Sequence, residues 1–243
     1  MKTMKKITLL AVAACLSASA SAQGFRQFTI EGGLAEGSIK HVKEGASKIE
    51  VIAGKDVNLK NVKFKYKLLS GCSLENGLGK NFTEPQTVTV NKNDGSSKDW
   101  EIRVKKITPA SLPLNIKFSN EVPSVWTPET KGWVTAGTDE TKPMTVRFGN
   151  NGVSFIAAFD GEAKEVSFKL TLVGKEGAEF EGDFKVLTSA DGLTWTEIEG
   201  FDDELTKDSR FTCPVSSDAR YIKWLYAERE NKQNVNLNNI SIK

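Results

Sequence analysis

The 243-residue sequence contains one histidine and three cysteines. His41 has no matched serine, cysteine or aspartate around it, so it makes no nucleophilic triad. No Cys-x-x-Cys pair occurs, and zinc and haem sites lack their usual ligands. No glycine-rich loop precedes a helix, and there is no dinucleotide fingerprint. Long apolar runs are missing too. The longest, at residues 7–16, is too short to anchor in a bilayer, and no membrane span is expected. Long helical periodicity, tandem repeats and low-complexity tracts are also absent.

The start of the chain has the order of a secretory signal. Lys2, Lys5 and Lys6 precede the apolar run, and Ala20-Ser21-Ala22 supplies a small-x-small exit before Gln23. The distance from the basic start favours cleavage after Ala22. The competing reading takes Val12-Ala13-Ala14-Cys15 as a lipobox, with Cys15 left as a lipidated terminus. Either way the protein is expected to be exported to the periplasm, the medium or the outer surface. Removing residues 1–22 leaves thirty Lys and Arg against thirty-one Asp and Glu, a net charge of −1. A near-neutral chain has no bulk electrostatic reason to bind nucleic acid, and none is expected as a partner. Cys72 and Cys213 fall in different halves and read as small buried side chains rather than a disulfide framework.

The remaining chain is written in strands. Val62, Phe64, Tyr66 and Leu68 alternate with lysines, so the first set is expected to face a core and the lysines to face water. Residues 87–90 repeat the pattern. Asn93-Asp94-Gly95 signals a turn, and Trp100, Ile102 and Val104 again point inward. Lysines on such strands also discourage edge-to-edge pairing. Pro109 and Pro113 mark the best break. The expected division is a signal at 1–22, a first domain at 23–108, a linker at 109–113 and a second domain at 114–243. Beyond the break, strands are expected at 144–148, 153–159, 166–173, 184–188, 210–215, 220–226 and 235–242. Asn151-Gly152, Asp160-Gly161 and Asp191-Gly192 punctuate them. Many short strands between turns mean an all-β sandwich or jelly roll.

Two resemblances sharpen this reading. The order from Ile49-Glu50-Val51 through Asp94-Gly95 to Trp100-Glu101-Ile102-Arg103-Val104 resembles the small immunoglobulin-like domains at the front of exported proteins in polysaccharide-using Gram-negative bacteria. It covers roughly residues 38–107 and implies a spacer. Trp100 stands where a Tyr is more usual, and Cys72 where a small buried residue is found. In the second half, Ser189-Ala190-Asp191-Gly192-Leu193-Thr194-Trp195 and Ala219-Arg220-Tyr221-Ile222-Lys223 resemble the hairpin and strand of galactose-binding-like, discoidin-like domains. Residues 235–242 are similar to the closing strand of carbohydrate-binding jelly rolls. Asn238 replaces an Asp associated there with calcium, so no cofactor is expected and calcium has no clear motif.

Candidate side chains follow from this frame. Trp195 is expected to pack behind its own hairpin, and Trp224 and Tyr226 to share a core face with Ile222. His41 reads as an exposed strand residue. Asp202-Asp203-Glu204 follows Gly200-Phe201 in what reads as a polar turn and lacks the alternating spacing of a calcium loop. Trp126 and Trp133 lie in a Pro- and Gly-containing segment, where large aromatics are less easily explained as core. They are the candidate ligand-binding residues, stacking on the CH faces of a sugar. The expectation is a non-catalytic carbohydrate-binding protein whose partner is a glycan or glycoconjugate. The alternative is a structural or adhesive surface protein that binds other proteins. A hydrolase would need two facing carboxylates at catalytic separation.

Overall fold

The computed structural model describes residues 23–116, 127–136, 145–173, 180–202, 205, 208–230 and 233–243. The expected signal with Cys15, the indole of Trp126, and the acids Asp203 and Glu204 lie outside them. The strands are β1 (Phe25–Ile30), β2 (Ser38–Lys40), β3 (Ser47–Ala53), β4 (Phe64–Leu68), β5 (Cys72–Leu74), β6 (Gln86–Lys92), β7 (Ser97–Thr108), β8 (Ala110–Ser111), β9 (Leu114–Ile116) and β10 (Glu129–Lys131). They continue with β11 (Trp133–Ala136), β12 (Val146–Phe148), β13 (Val153–Asp160), β14 (Glu165–Val173), β15 (Gly182–Ser189), β16 (Thr196–Asp202), β17 (Asp208–Pro214), β18 (Tyr221–Arg229) and β19 (Asn234–Ile242). One 3-10 turn, Leu59–Asn61, interrupts them, and no described helix is long and apolar enough to cross a membrane. The protein is all-β, as the strand periodicity indicates.

The chain divides into two compact units. The first holds residues 23–107 together with Thr127–Thr130. Its longer sheet runs β2-β3-β7-β6-β5, with β10 beside β7, and β1 and β4 form a separate two-stranded ribbon. β3 and β7 are parallel, in a register that pairs Ile49 with Ile102 and Val51 with Val104. The alternation predicted for β7 holds: Trp100, Ile102 and Val104 are fully buried and pack with Phe25, Phe28 and Phe82. Gly24 permits this packing. Its φ is +135°, and a Cβ there would lie 2.0 Å from Cζ2 of Trp100. Gly24→Ala therefore meets both a clash and an unfavourable backbone region. It is expected to cost more than about 2 kcal/mol in urea unfolding.

The alternation fails at β4. Phe64 and Leu68 are half-buried, but Tyr66, expected to face the core, is 39% exposed. The ribbon has only two strands, so the inner face of β4 covers the rim of the core rather than its centre. Val62 is buried, but it lies in the bend before the strand.

The second unit begins at Thr108 and takes the rest of the described chain. One antiparallel sheet runs β11-β13-β18-β15-β16, and the other runs β12-β19-β14-β17 with β9 beside β19. Inward residues of both sheets form one core, among them Phe148, Phe155, Val166, Phe168, Phe184, Trp224, Tyr226 and Leu237. The segment expected as a linker is built into this unit. Ala110 and Ser111 form β8, parallel to Phe159 and Asp160 at the end of β13.

β19 carries an extra residue. Val235 and Leu237 are inward, then Ile240 and Ile242, so the spacing breaks after Leu237. The β14–β19 register shifts between Ser167 and Lys169, and Asn239 takes a φ of 50°. This is a β-bulge, and it returns the last two isoleucines to the core. Asn is among the side chains that tolerate the left-handed region.

Candidate functional site

The β15–β16 hairpin is fixed by its own aspartate. The Asp191 carboxylate accepts the N–H groups of Leu193 at 2.7 Å and Thr194 at 2.8 Å, and the Ser189 hydroxyl at 3.0 Å. The Gly192 N–H donates to Ser189 Oγ at 2.8 Å, with Gly192 at a φ of 75°. The backbone donors of Thr194 and Leu193 hold the Asp191 carboxyl below its ordinary pKa. This turn delivers Trp195 back against the sheet, where it is 5% exposed. Asp191→Ala removes the acceptor for three donors and is expected to cost about 1–2 kcal/mol in denaturant midpoints.

Trp195 packs on the face of the β11-β13-β18-β15-β16 sheet that lies away from the core. β18 sends Ile222, Trp224 and Tyr226 inward, so Tyr221 and Lys223 point to the other side. Lys223 lies opposite Ile156 of β13 and Leu187 of β15. Its ammonium sits 3.7 Å from the centroid of the Trp195 ring, and Tyr221 meets the same indole edge-on at 6.5 Å. Lys223 is only 4% exposed, and burial pulls its pKa down to about 7. The ring face offsets part of that cost through a cation–π contact.

Charge continues toward the β15–β16 margin. Lys185 reaches Asp183 at 2.7 Å and Glu197 at 3.5 Å, and all three side chains are partly exposed. Burial opposes the charge on Lys185, but Asp183 and then Glu197 outweigh it, so its pKa rises above the ordinary value. An indole, a phenol, two ammonium groups and two carboxylates therefore share one sheet face. The expected core placement of Trp224 and Tyr226 holds, since both are fully buried.

Trp133 differs from its expectation in one respect. It is the first residue of edge strand β11, not part of a loop, and its Cα pairs with Ala157. Gly132, at a φ of +84°, makes the bend before it. The indole is half-buried against the core of the second unit and stacks on Phe155 at 5.5 Å with an interplanar angle of 23°. Trp126, seven residues earlier, lies outside the described residues.

The remaining candidates are dispersed. His41 is not simply exposed: its ring stands on the Trp100 indole at 4.9 Å and 87°. Burial and then the nearby Lys98 charge lower its pKa. The stretch Gly200-Phe201-Asp202 is strand rather than turn, with Phe201 in the core. Cys72 and Cys213 are both free thiols, and burial pushes Cys213 up to about 11. Among the described residues no group of three or more His, Cys, Asp or Glu is placed to hold a metal.

Sequence reasoning did not single out Lys223. A lysine between Ile222 and Trp224 looks like an outward residue on an alternating strand. The signal for its burial lies in its neighbours, because β13, β15 and β18 are buried nearly residue by residue.

No family model matches the chain, and no curated protein matches it. Solved structures that superpose on it include a candidate glycoside hydrolase from Bacteroides thetaiotaomicron, at 11% identity and a TM-score of 0.45, covering 93% of this chain and 98% of that one. A carbohydrate-binding module of family 29 complexed with mannohexaose gives 13% identity and a TM-score of 0.37, over 54% of this chain and 91% of its own. The K1 cleaved adhesin domain of Lys-gingipain from Porphyromonas gingivalis gives 13% and 0.39, over 54% and 96%.

Proposed function

We propose that the protein is an exported, non-catalytic carbohydrate-binding protein whose ligand sits on the second unit. The observation that carries this reading is the placement of Trp133. Its indole is partly open to solvent at the sheet edge and is braced from within by Phe155. A braced ring loses little side-chain freedom when a sugar ring settles on it. Trp126 is the second proposed stacking residue.

The non-catalytic part of the reading is supported by Lys185. A glycosidase needs one carboxyl that carries a proton and one that does not. Asp183 and Glu197 are instead both engaged by the Lys185 ammonium, at 2.7 Å and 3.5 Å.

The test is a titration of the protein with neutral manno-, gluco- and galacto-oligosaccharides, followed by tryptophan fluorescence and calorimetry. At least one series is expected to bind, and Trp133→Ala to weaken it about tenfold or more, the weight of one aromatic contact. A flat response across the panel would remove the reading and leave the alternative of a surface protein that binds another protein.

A further inference from the structure

The outer face of the sheet β12-β19-β14-β17 departs from the usual strand composition in three ways. β19 lies between β12 and β14. Val235 and Leu237 point into the core, so Asn234, Asn236 and Asn238 point to the other side. Asparagine is depleted in strands, where threonine and valine fit the pleat better. Three of them at successive outward positions weaken a central strand without improving its packing. The second departure is in charge. Arg147 and Thr171 stand on either side of Asn236, and Lys169 stands between Asn238 and Arg210. Lys169 and Arg210 are like charges directly opposite each other, an arrangement that costs stability. The third is Asn236 Oδ1, which is closed off from solvent with no hydrogen-bond partner among the described residues. Departures from local rules gathered at one place are expected where a surface has work other than folding.

The cations on this face run against their surroundings. Residues 108–243 hold fifteen Lys and Arg against twenty-one Asp and Glu, a net −6. Arg147, Lys169 and Arg210 nevertheless share one sheet face. In the amide orientation that satisfies both groups, Asn234 Oδ1 accepts from Arg147 Nε at 3.2 Å, which fixes that guanidinium. Arg210 is exposed, and the other named side chains are half-buried. Two acids belong to the same face by register. Glu165 meets Lys243 at 3.8 Å farther along β14, and the side chain of Asp208, opposite Thr171, lies outside the described residues.

These groups define the chemistry of a ligand. Each amide offers an acceptor and two donors, and sugar hydroxyls answer both. A bare phosphate offers acceptors only and leaves the amide oxygens unused. None of the outward residues named here is aromatic, so the face has no platform on which a nucleic-acid base could stack. Ammonium and guanidinium groups match a carboxylate. The row Asn238, Lys169, Arg210 crosses two strand spacings, about 10 Å, which leaves room for one sugar ring between the amide and the guanidinium.

We propose that the outer face of β19, β14 and β17 is a binding site for a glycan bearing uronic acid. Asn236 and Asn238 bind ring hydroxyls, and Lys169 with Arg210 binds the carboxylate. The site shares only its class of ligand with the neutral-sugar site of the proposed function. Trp133 belongs to the other sheet, so the two are tested apart.

The experiment is affinity electrophoresis and calorimetry of the full mature chain with polygalacturonate, with neutral dextran beside it. Retardation is expected in polygalacturonate only. Arg210→Ala should weaken binding about tenfold, the weight of one charge-assisted hydrogen bond, and Asn238→Thr about fivefold. Asn238→Thr should also unfold at an equal or higher urea concentration, because threonine suits a strand better. A merely structural asparagine would give the opposite result. Trp133→Ala should retain polygalacturonate binding, and so should Lys65→Glu with Lys67→Glu, which removes exposed cations from the first unit. Equal retardation in dextran, unchanged binding by both Arg210→Ala and Asn238→Thr, or a less stable Asn238→Thr would overturn the proposal. So would loss of binding in the first-unit variant, or tighter binding to oligothymidylate than to polygalacturonate.

Discussion

Lys223→Met is expected to stabilise the second unit and to remove a pH dependence that the parent protein shows between pH 7 and 9. The Lys223 pKa is about 7 in the folded chain against an ordinary 10.5, with burial as the cause. Between those values the unfolded chain binds a proton that the folded chain does not. Stability therefore rises with pH through this window. Below pH 7 both states carry the proton, and the penalty for the buried charge is complete and constant. A shift on this scale is worth on the order of 5 kcal/mol. Methionine keeps the apolar stem without the charge, so a gain in stability at pH 7 is expected. Cys213 and Tyr226 act in the opposite direction at higher pH. Burial raises them to about 11 and about 12, so the unfolded chain loses their protons first and stability falls. The informative range therefore ends near pH 9. Urea midpoints at pH 6, 7, 8 and 9 for both proteins test this. A flat profile in the parent, or a variant that is less stable with an unchanged profile, would show that Lys223 is held charged at no cost.

That residue also shows where strand periodicity stops being informative. Alternation places side chains on two faces but does not say whether the second face is wet. For Trp100, Ile102 and Val104, and for Ile222, Trp224 and Tyr226, one face is core and the pattern reads directly into structure. For Lys223 the second face is buried as well, and the rule that sends lysine to water fails. Tyr66 is the converse case. Its spacing is that of a core residue, but a two-stranded ribbon has too little width to cover it. At β19 an extra residue hides in an apparently regular run, and only the left-handed Asn239 reveals it. Trp133 reads from sequence as a loop aromatic outside the core, whereas it starts edge strand β11 and packs half-buried against the core of the second unit. Its neighbours Pro128 and Gly132 are loop formers that here lead into β10 and β11. The Asp191-Gly192 hairpin was fully legible, because its fold is set by hydrogen bonds within six residues.

Trp224→Ala is expected to produce the largest loss of stability in the second unit. The ring is fully buried where the two sheets meet, edge-on to Phe155 at 5.5 Å and to Phe168 at 5.6 Å. Those two residues sit on opposite sheets, so the indole joins the halves of the sandwich. Truncation leaves a cavity that neither sheet can close without breaking its own ladder, and a cost of about 3–5 kcal/mol is expected. Trp224→Phe separates the contribution of shape from that of chemistry. The indole N–H is buried without a hydrogen-bond partner among the described residues. A buried donor in that state carries a desolvation cost of about 1–3 kcal/mol, which phenylalanine removes while keeping most of the ring contacts. The two effects nearly cancel, and the expected loss for Trp224→Phe is under about 1.5 kcal/mol. Chemical denaturation of the parent and both variants measures the difference. If phenylalanine were as damaging as alanine, packing would not explain the tryptophan. The N–H would then have a partner, such as an internal water joining the two sheets, and a polar element would belong in the core of the sandwich.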